Sequence, residues 1–86
     1  MSDIMRLKEQ LHHVSLEAKQ AAGGLGGFQH RFGQSAAQVQ ALISGSATGV
    51  DRDIAQILDA ASKSVGQAIQ ALEMAAAGCA NYANQI

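Results

Sequence analysis

The sequence predicts an all-α protein, an antiparallel hairpin of two long helices. The chain of 86 residues contains no proline, the residue that most strongly interrupts helices. Apolar residues recur at alternating spacings of three and four on both sides of one stretch, Ile43 to Asp51, which is rich in glycine and serine and divides the chain nearly in half. We therefore predict one domain over residues 1–86, with a first arm at about 3–43, a tip at 43–49 and a second arm at about 48–86.

The first arm begins with a good helix start, since Ser2 can cap the helix and Asp3 places negative charge in its first turn. The apolar spacing that follows is typical of a helix packed against another helix. This predicted stripe consists of Ile4, Leu7, Leu11, Val14, Ala18, Ala21, Leu25, Phe28, Phe32, Ser35, Val39 and Leu42.

Four glycines between Gly23 and Gly27 interrupt this arm. Each costs a helix about 0.8 to 1 kcal/mol relative to alanine, yet the apolar spacing continues beyond them in phase. We therefore predict a kinked or locally frayed first arm. The alternative is a full break that makes Phe28 to Ile43 a separate middle helix, and a functional interpretation is a hinge or a groove for a partner's side chain.

We predict that the second arm begins near Thr48, because Thr48 with Asp51 three residues later matches a capping box. Its apolar stripe is wider than the contact with one helix requires, so we expect this arm to contact the first arm and another molecule at once. The stripe consists of Val50, Ile54, Ile57, Leu58, Ala61, Val65, Ala68, Ile69, Leu72, Ala75, Ala76, Cys79, Tyr82, Ala83 and Ile86.

Composition argues against several classes of function. The net charge is −1 and charged residues make up 15%, which leaves no basic patch for nucleic acid. The sequence shows neither a signal peptide nor eighteen consecutive apolar residues, so we expect a chain that is soluble when made and has no stable membrane insertion. A domain of this size is marginally stable alone, which predicts a partner.

Reactive side chains do not form a recognisable site. His12, His13 and His30 lack the further ligands of a closed metal site, although His13 and Glu17 share one helical face. Cys79 has no neighbouring base, and the glycines lack the lysine of a phosphate-binding loop. We predict a non-enzyme that needs no cofactor and no metal.

The layout of two helices joined near Gly45 resembles the WXG family, the small early-secreted-antigen-like hairpins of type VII secretion in actinobacteria and related Gram-positive bacteria. Ile43-Ser44-Gly45 stands where the family has Trp-x-Gly, and the later sequence resembles its divergent actinobacterial branch. The resemblance implies pairing of two hairpins into a four-helix bundle. It also implies an export signal at Tyr82, with the carboxylate of the last residue, Ile86, near the family's acidic position.

We therefore predict a non-catalytic protein of type VII secretion, exported without a cleavable signal peptide as a substrate or as the targeting partner of a larger effector. Its partner is a second copy, a related hairpin protein or an effector, and a secretion ATPase is a further candidate. A helical adaptor or regulatory subunit unrelated to secretion is the alternative, and a membrane-active protein is a third. The turn motif is Ile43, Gly45, Thr48 and Asp51, and the predicted partner interface comprises Leu7, Leu11, Val14, Leu25, Phe28, Phe32, Val39, Leu42, Ile54, Ile57, Leu58, Val65, Ile69 and Leu72.

Overall fold

The protein consists of two long helices packed along each other. The computed structural model describes residues 2–43 and 49–86, without the side chains of residues 49–51. Helix α1 spans Asp3–Ile43 and helix α2 spans Gly49–Gln85. The resulting rod measures 68 × 17 × 13 Å, so the predicted all-helical hairpin is confirmed.

Helix α1 starts with the predicted cap. The backbone N–H of Met5 donates to the Ser2 hydroxyl oxygen at 3.3 Å and to the Ser2 carbonyl at 3.2 Å. The cap satisfies a donor that a helix N-terminus otherwise leaves without an intrahelical partner.

The glycine-rich segment lies inside α1 and does not divide it. The helix is continuous from Asp3 to Ile43, and no described glycine has a positive φ. The alternative of a separate middle helix is therefore not observed. Contacts with α2 on both sides of the segment offset its low helix propensity, because tertiary packing supplies most helical stability in proteins.

Two hydrogen bonds between the helices define their register. The Ser15 hydroxyl donates to the Ala76 carbonyl at 2.8 Å, and the Gln29 side-chain amide donates to the Ser62 carbonyl at 3.2 Å. The later residue of α1 bonds the earlier residue of α2, so the helices are antiparallel. Both pairs have the same midpoint in the sequence, between positions 45 and 46, and the register is therefore constant between the two bonds.

The contact between the helices, which we call the seam, has small residues at its most buried positions and larger apolar side chains half-buried beside them. Ala76 is 2% exposed and Ala83 is fully buried, whereas no large side chain is fully buried among the described residues. Small side chains allow the helix backbones to approach closely, but each buries little apolar area. The seam residues of α1 are Leu11, Ser15, Ala18, Ala22, Leu25, Gln29, Phe32 and Ala36, and those of α2 are Ala55, Leu58, Ser62, Val65, Ile69, Leu72, Ala76, Cys79 and Ala83.

Candidate functional site: an open apolar face

The predicted partner-interface residues divide into two groups in the structure. One group is half-buried in the seam: Leu11, Leu25, Phe32, Leu58, Val65, Ile69 and Leu72. The other group is exposed: Leu7, Val14, Phe28, Val39, Leu42, Ile54 and Ile57. Within the described residues, half of the predicted interface is therefore exposed.

The division arises because α1 does not point the centre of its apolar stripe at α2. The seam includes Ser15 and Gln29, each one position after the stripe residues Val14 and Phe28. Successive residues of an α-helix differ by a rotation of about 100°. The contact uses the row of Ser15 and Gln29 in place of the row of Val14 and Phe28, so its centre is rotated by about 50° around α1. The line that contains Leu7, Val14 and Phe28 is consequently left beside the seam and open.

Helix α2 has a comparable apolar line beside the seam. Ile54, Ala61, Ala68, Ala75 and Tyr82 follow one another at intervals of seven residues. They lie next to the seam line that contains Leu58, Val65 and Leu72, because residues three and four apart are neighbours on a helix surface. Ile57, which is 63% exposed, extends this surface outward.

Both open lines lie on the same side of the hairpin, as the handedness of two antiparallel right-handed helices requires. The opposite side has both polar residues and alanines, and it carries two shallow grooves. One groove, of about 320 Å³, runs between Lys19 of α1 and Glu73 of α2. The other, of about 240 Å³, runs between Gln40 and Asp59. We call the side that carries both open lines the open apolar face. Three further large apolar side chains, Met5, Leu16 and Met74, are exposed outside this face.

The open apolar face is defined by the exposed lines of both helices together with the edge of the seam. Its described members outside the seam are Ile4, Leu7, Val14, Ala21, Phe28, Val39, Leu42, Ile54, Ile57, Ala68, Ala75 and Tyr82. None of them carries a charge.

Two aromatic rings join the seam to this face. Phe28 is 43% exposed, whereas Phe32 is half-buried. Their ring centroids are 5.6 Å apart and the ring planes meet at 23°. This stacking is within the range that stabilises aromatic pairs, and it makes one continuous apolar surface from the seam to the face.

The polar residues of the seam were not predicted from the sequence. Ser15 is buried and Gln29 is half-buried, and each bonds a backbone carbonyl of α2. Gly66 makes room for Gln29, because a Cβ added at Gly66 would lie 3.0 Å from the Gln29 amide nitrogen. The sequence feature that could have indicated these seam positions is their spacing. Ser15, Ala22 and Gln29 follow one another at intervals of seven residues and so lie on one line of α1.

Titratable side chains do not assemble into a site. His13 Nε2 lies 3.3 Å from Glu17 Oε1, and Lys63 Nζ lies 3.1 Å from Asp59 Oδ2, and all four side chains are mostly exposed. Within residues 2–43 and 49–86, no group of three or more His, Cys, Asp or Glu side chains is placed to hold a metal ion. Cys79 is half-buried in the seam. What the described surface offers is an apolar binding area.

The predicted turn motif is described only in part. Ile43 is the last residue of α1 and is half-buried, whereas Gly45 and Thr48 lie outside the described residues, as does the side chain of Asp51. At the other end of α2, Tyr82 is 50% exposed and Ile86 is 38% exposed. Both residues of the predicted export signal are therefore accessible on the hairpin.

Neither α1 nor α2, over the part of the chain that is described, is long and apolar enough to cross a membrane. Comparison with known proteins finds no family model, no characterised protein and no solved structure that matches the chain significantly. The resemblance to the WXG family therefore remains a prediction that rests on the residues quoted above.

Proposed function

We propose that this chain is a non-catalytic, WXG-like protein of type VII secretion whose open apolar face packs against a second hairpin. It acts as a secreted substrate or as the targeting and dimerisation partner of a larger effector. The observation that carries this proposal is that both helices turn large apolar side chains to the same uncovered side. Exposed apolar patches of this kind mark interaction surfaces on soluble proteins.

The accessible surface supports a partner of substantial size. The chain exposes 6228 Å² at a mass of 8.9 kDa, whereas a compact monomer of that mass exposes about 4,800 Å². The difference of roughly 1,400 Å² exceeds the area of about 800 Å² that each partner loses in a standard protein interface. A second hairpin on the open apolar face accounts for a burial of that order.

The direction of the apolar stripes supports a four-helix bundle as the assembled form. In a square of four helices, the core lies on the diagonal, about 45° from the line between neighbouring helices, and core positions of all four helices point towards it. The stripe of α1 is offset from the seam by about 50°, and the stripe of α2 turns to the same side. In this assembly Gly23 to Gly27 allow α1 to bend around the facing hairpin.

The second element of the proposal is recognition by the secretion machinery. On the single hairpin, Tyr82 and Ile86 are accessible near the end of α2, where the family resemblance places the export signal. A secretion ATPase is the expected reader of that signal, and the protein is made in the cytoplasm and exported without a cleavable signal peptide.

Export of a Tyr82→Ala variant tests this function. In an actinobacterial host with an active type VII system, we expect the wild-type protein in the culture filtrate and the variant in the cell pellet. Asn81→Ala is the matched control, because Asn81 is an exposed neighbour. Size-exclusion chromatography of each variant separates loss of pairing from loss of recognition.

Two results would contradict the proposal. Export of a correctly paired Tyr82→Ala variant at the wild-type level removes Tyr82 from recognition. Retention of the wild-type protein in cells that export their own type VII substrates, with the partner present, favours an adaptor that has no connection with secretion.

A further inference from the structure

We infer that the hairpin contains a hinge at half its length, where both helices open locally while the two ends of the rod stay paired. The hinge goes beyond the proposed function, because it is a property of the single chain and requires neither a partner nor export. Its basis is the position of the glycines along the rod.

Five glycines lie at one level of the rod. Four of them fall between Gly23 and Gly27 in α1, and the fifth is Gly66 in α2. The two hydrogen bonds between the helices share one sequence midpoint, and by that register Gly66 lies level with Leu25. Gly23 is the middle residue of α1, and Gln67 is the middle residue of α2. Glycine is therefore placed at half the length of the 68 Å rod in both helices.

The coincidence matters because two packed helices bend only where both can yield, and an intact helix acts as a splint for its neighbour. Glycine weakens a helix interior, since it has no side chain to restrict the backbone or to shield it from water. Four glycines within five positions weaken α1, and Gly66 weakens α2 at the same level. The two weakened segments lie side by side.

Close packing within the hairpin does not explain the glycines of α1. A Cβ added at Gly23, Gly24 or Gly26 would meet nothing within 4 Å, so alanine fits at each of them. What glycine supplies at these positions is backbone freedom. Hinges are commonly formed by small residues of this kind, which absorb a change in backbone angles.

Charged side chains do not reinforce the glycine level. We call residues 20–27 of α1 and 64–71 of α2 the central band, and none of these residues carries a charge. The central band also makes few apolar contacts, because Ala22 and Leu25 are its only seam residues in α1. Local opening of a protein occurs where apolar contacts are few and backbone hydrogen bonds are exposed to water. The central band meets both conditions in α1, where three of the four glycines are exposed.

Each end of the rod, in contrast, has contacts of its own. The terminal half, residues 2–19 and 72–86, contains the 2.8 Å hydrogen bond from the Ser15 hydroxyl to the Ala76 carbonyl. The tip half, residues 28–43 and 49–63, contains the 3.2 Å hydrogen bond from the Gln29 amide to the Ser62 carbonyl. Hydrogen bonds across the seam therefore hold both halves while the central band opens.

Amide hydrogen exchange, followed by NMR for each residue of the full chain, tests the hinge. The rate at each amide is divided by its rate in an unfolded chain, so that the ratio reports the free energy of local opening. We expect the ratio at Gly26 and Gly27 to be at least about tenfold higher than at Ala18 and Phe32, which are seam residues of the terminal half and the tip half.

Substitution of two glycines should close the hinge. In a Gly23→Ala/Gly24→Ala variant, we expect exchange at Gly27 to slow by about tenfold or more, because each alanine favours the helix about fourfold over glycine. The matched control is Gly33→Ala/Gly78→Ala, since a Cβ at either site also meets nothing within 4 Å but both sites lie outside the central band. We expect the control to leave exchange at Gly27 within about twofold of the wild-type rate.

Distances between spin labels measure the bending itself. In a Cys79→Ala background, labels at Gln10→Cys and Gln34→Cys report on α1, because both glutamines are exposed and lie on opposite sides of the central band. In a straight helix the two positions are about 36 Å apart. With labelled chains diluted in unlabelled protein, we expect a broad distribution of distances that becomes narrower in the Gly23→Ala/Gly24→Ala variant. A distribution that is already narrow without these two substitutions would contradict a hinge.

Three further results would overturn the hinge. Exchange at Gly26 and Gly27 that is no faster than at the seam residues shows a rod of uniform stability. Equal slowing of Gly27 by both double variants shows that the amides exchange through unfolding of the whole hairpin. Unchanged exchange in the Gly23→Ala/Gly24→Ala variant, together with weaker association in light scattering, assigns these glycines to contact with a partner. None of the three decides whether the chain is exported, which is measured separately with Tyr82→Ala.

Discussion

The seam and the open apolar face differ in what each contributes to the protein. The seam contains the most buried residues, but they are small: Ala18, Ala22, Ala76 and Ala83, together with Ser15. The face carries large apolar side chains that the single hairpin leaves in water. The seam therefore determines how the two helices align, because its hydrogen bonds and close contacts fit only one register. The face holds apolar area that only a further partner can bury.

The seam thus fixes the alignment of the two helices, and burial of the face by a partner would add to the stability of the hairpin. Burial of apolar surface stabilises a protein by roughly 25 cal/mol per Å², and alanine offers little surface to bury. Substitutions in the seam should therefore change stability at any protein concentration, and substitutions on the face should act mainly through association.

The largest expected effect comes from overfilling the seam. Ala76 is 2% exposed and its carbonyl accepts the Ser15 hydroxyl, so Ala76→Leu forces the helices apart and weakens that bond. We expect a loss of up to about 3 kcal/mol in the free energy of unfolding, measured by urea denaturation. Ala77→Leu is the control, since Ala77 is exposed. Equal effects of the two substitutions would show that the seam is not closely packed.

Truncation of two adjacent residues of equal size, Leu58 and Ile57, allows a direct comparison of the seam with the face. Leu58 is half-buried in the seam, and Ile57 is 63% exposed. A fully buried leucine loses about 2 to 5 kcal/mol on truncation to alanine, so we expect about 2 kcal/mol for Leu58→Ala at every protein concentration.

Ile57→Ala should behave differently, because its contacts are made by the second hairpin. We expect little loss of stability at a concentration where the chain is monomeric, and a weaker dimer at higher concentration. Denaturation curves at two protein concentrations measure both effects. A loss for Ile57→Ala that does not depend on concentration would place Ile57 in the fold of the single hairpin.

A smaller effect is expected from the polar part of the seam. Ser15→Ala removes the 2.8 Å hydrogen bond to the Ala76 carbonyl, and a hydrogen bond of this kind contributes about 0.5 to 1.5 kcal/mol. Alanine regains a few tenths of a kcal/mol of helix propensity, so we expect a net loss of about 1 kcal/mol or less in urea denaturation. Ser35→Ala, at an exposed position of the same helix, should show the propensity gain without the loss.

The helices and their pairing could be predicted because apolar spacing and the absence of proline are properties of residues close together in the sequence. The sequence did not predict which edge of the stripe faces the second helix. Val14 and Phe28 are the more apolar choices, but the single hairpin uses Ser15 and Gln29 instead. That selection depends on the shape of α2, where Gly66 leaves space for the Gln29 amide and the Ser62 carbonyl accepts it, and such a pairing appears only when both helices are placed.

Two glycines provide the smallest test of the difference between the seam and the rest of the surface. Gly66 lies against the seam, whereas Gly23 faces open space. A Cβ added at Gly23 meets nothing within 4 Å, whereas one added at Gly66 lies 3.0 Å from the Gln29 amide nitrogen. Gly23→Ala should therefore stabilise α1 by about 0.5 to 1 kcal/mol through helix propensity alone.

Gly66→Ala gains the same propensity but displaces the amide that bonds the Ser62 carbonyl. A hydrogen bond contributes about 0.5 to 1.5 kcal/mol, which cancels the gain or exceeds it. In thermal denaturation we expect Gly23→Ala to melt above the wild-type protein and Gly66→Ala to melt at or below it. In a Gln29→Ala background the amide is absent, so Gly66→Ala should become stabilising there. If it stays neutral or destabilising without the amide, the backbone of α1 and not the Gln29 side chain limits the space at Gly66.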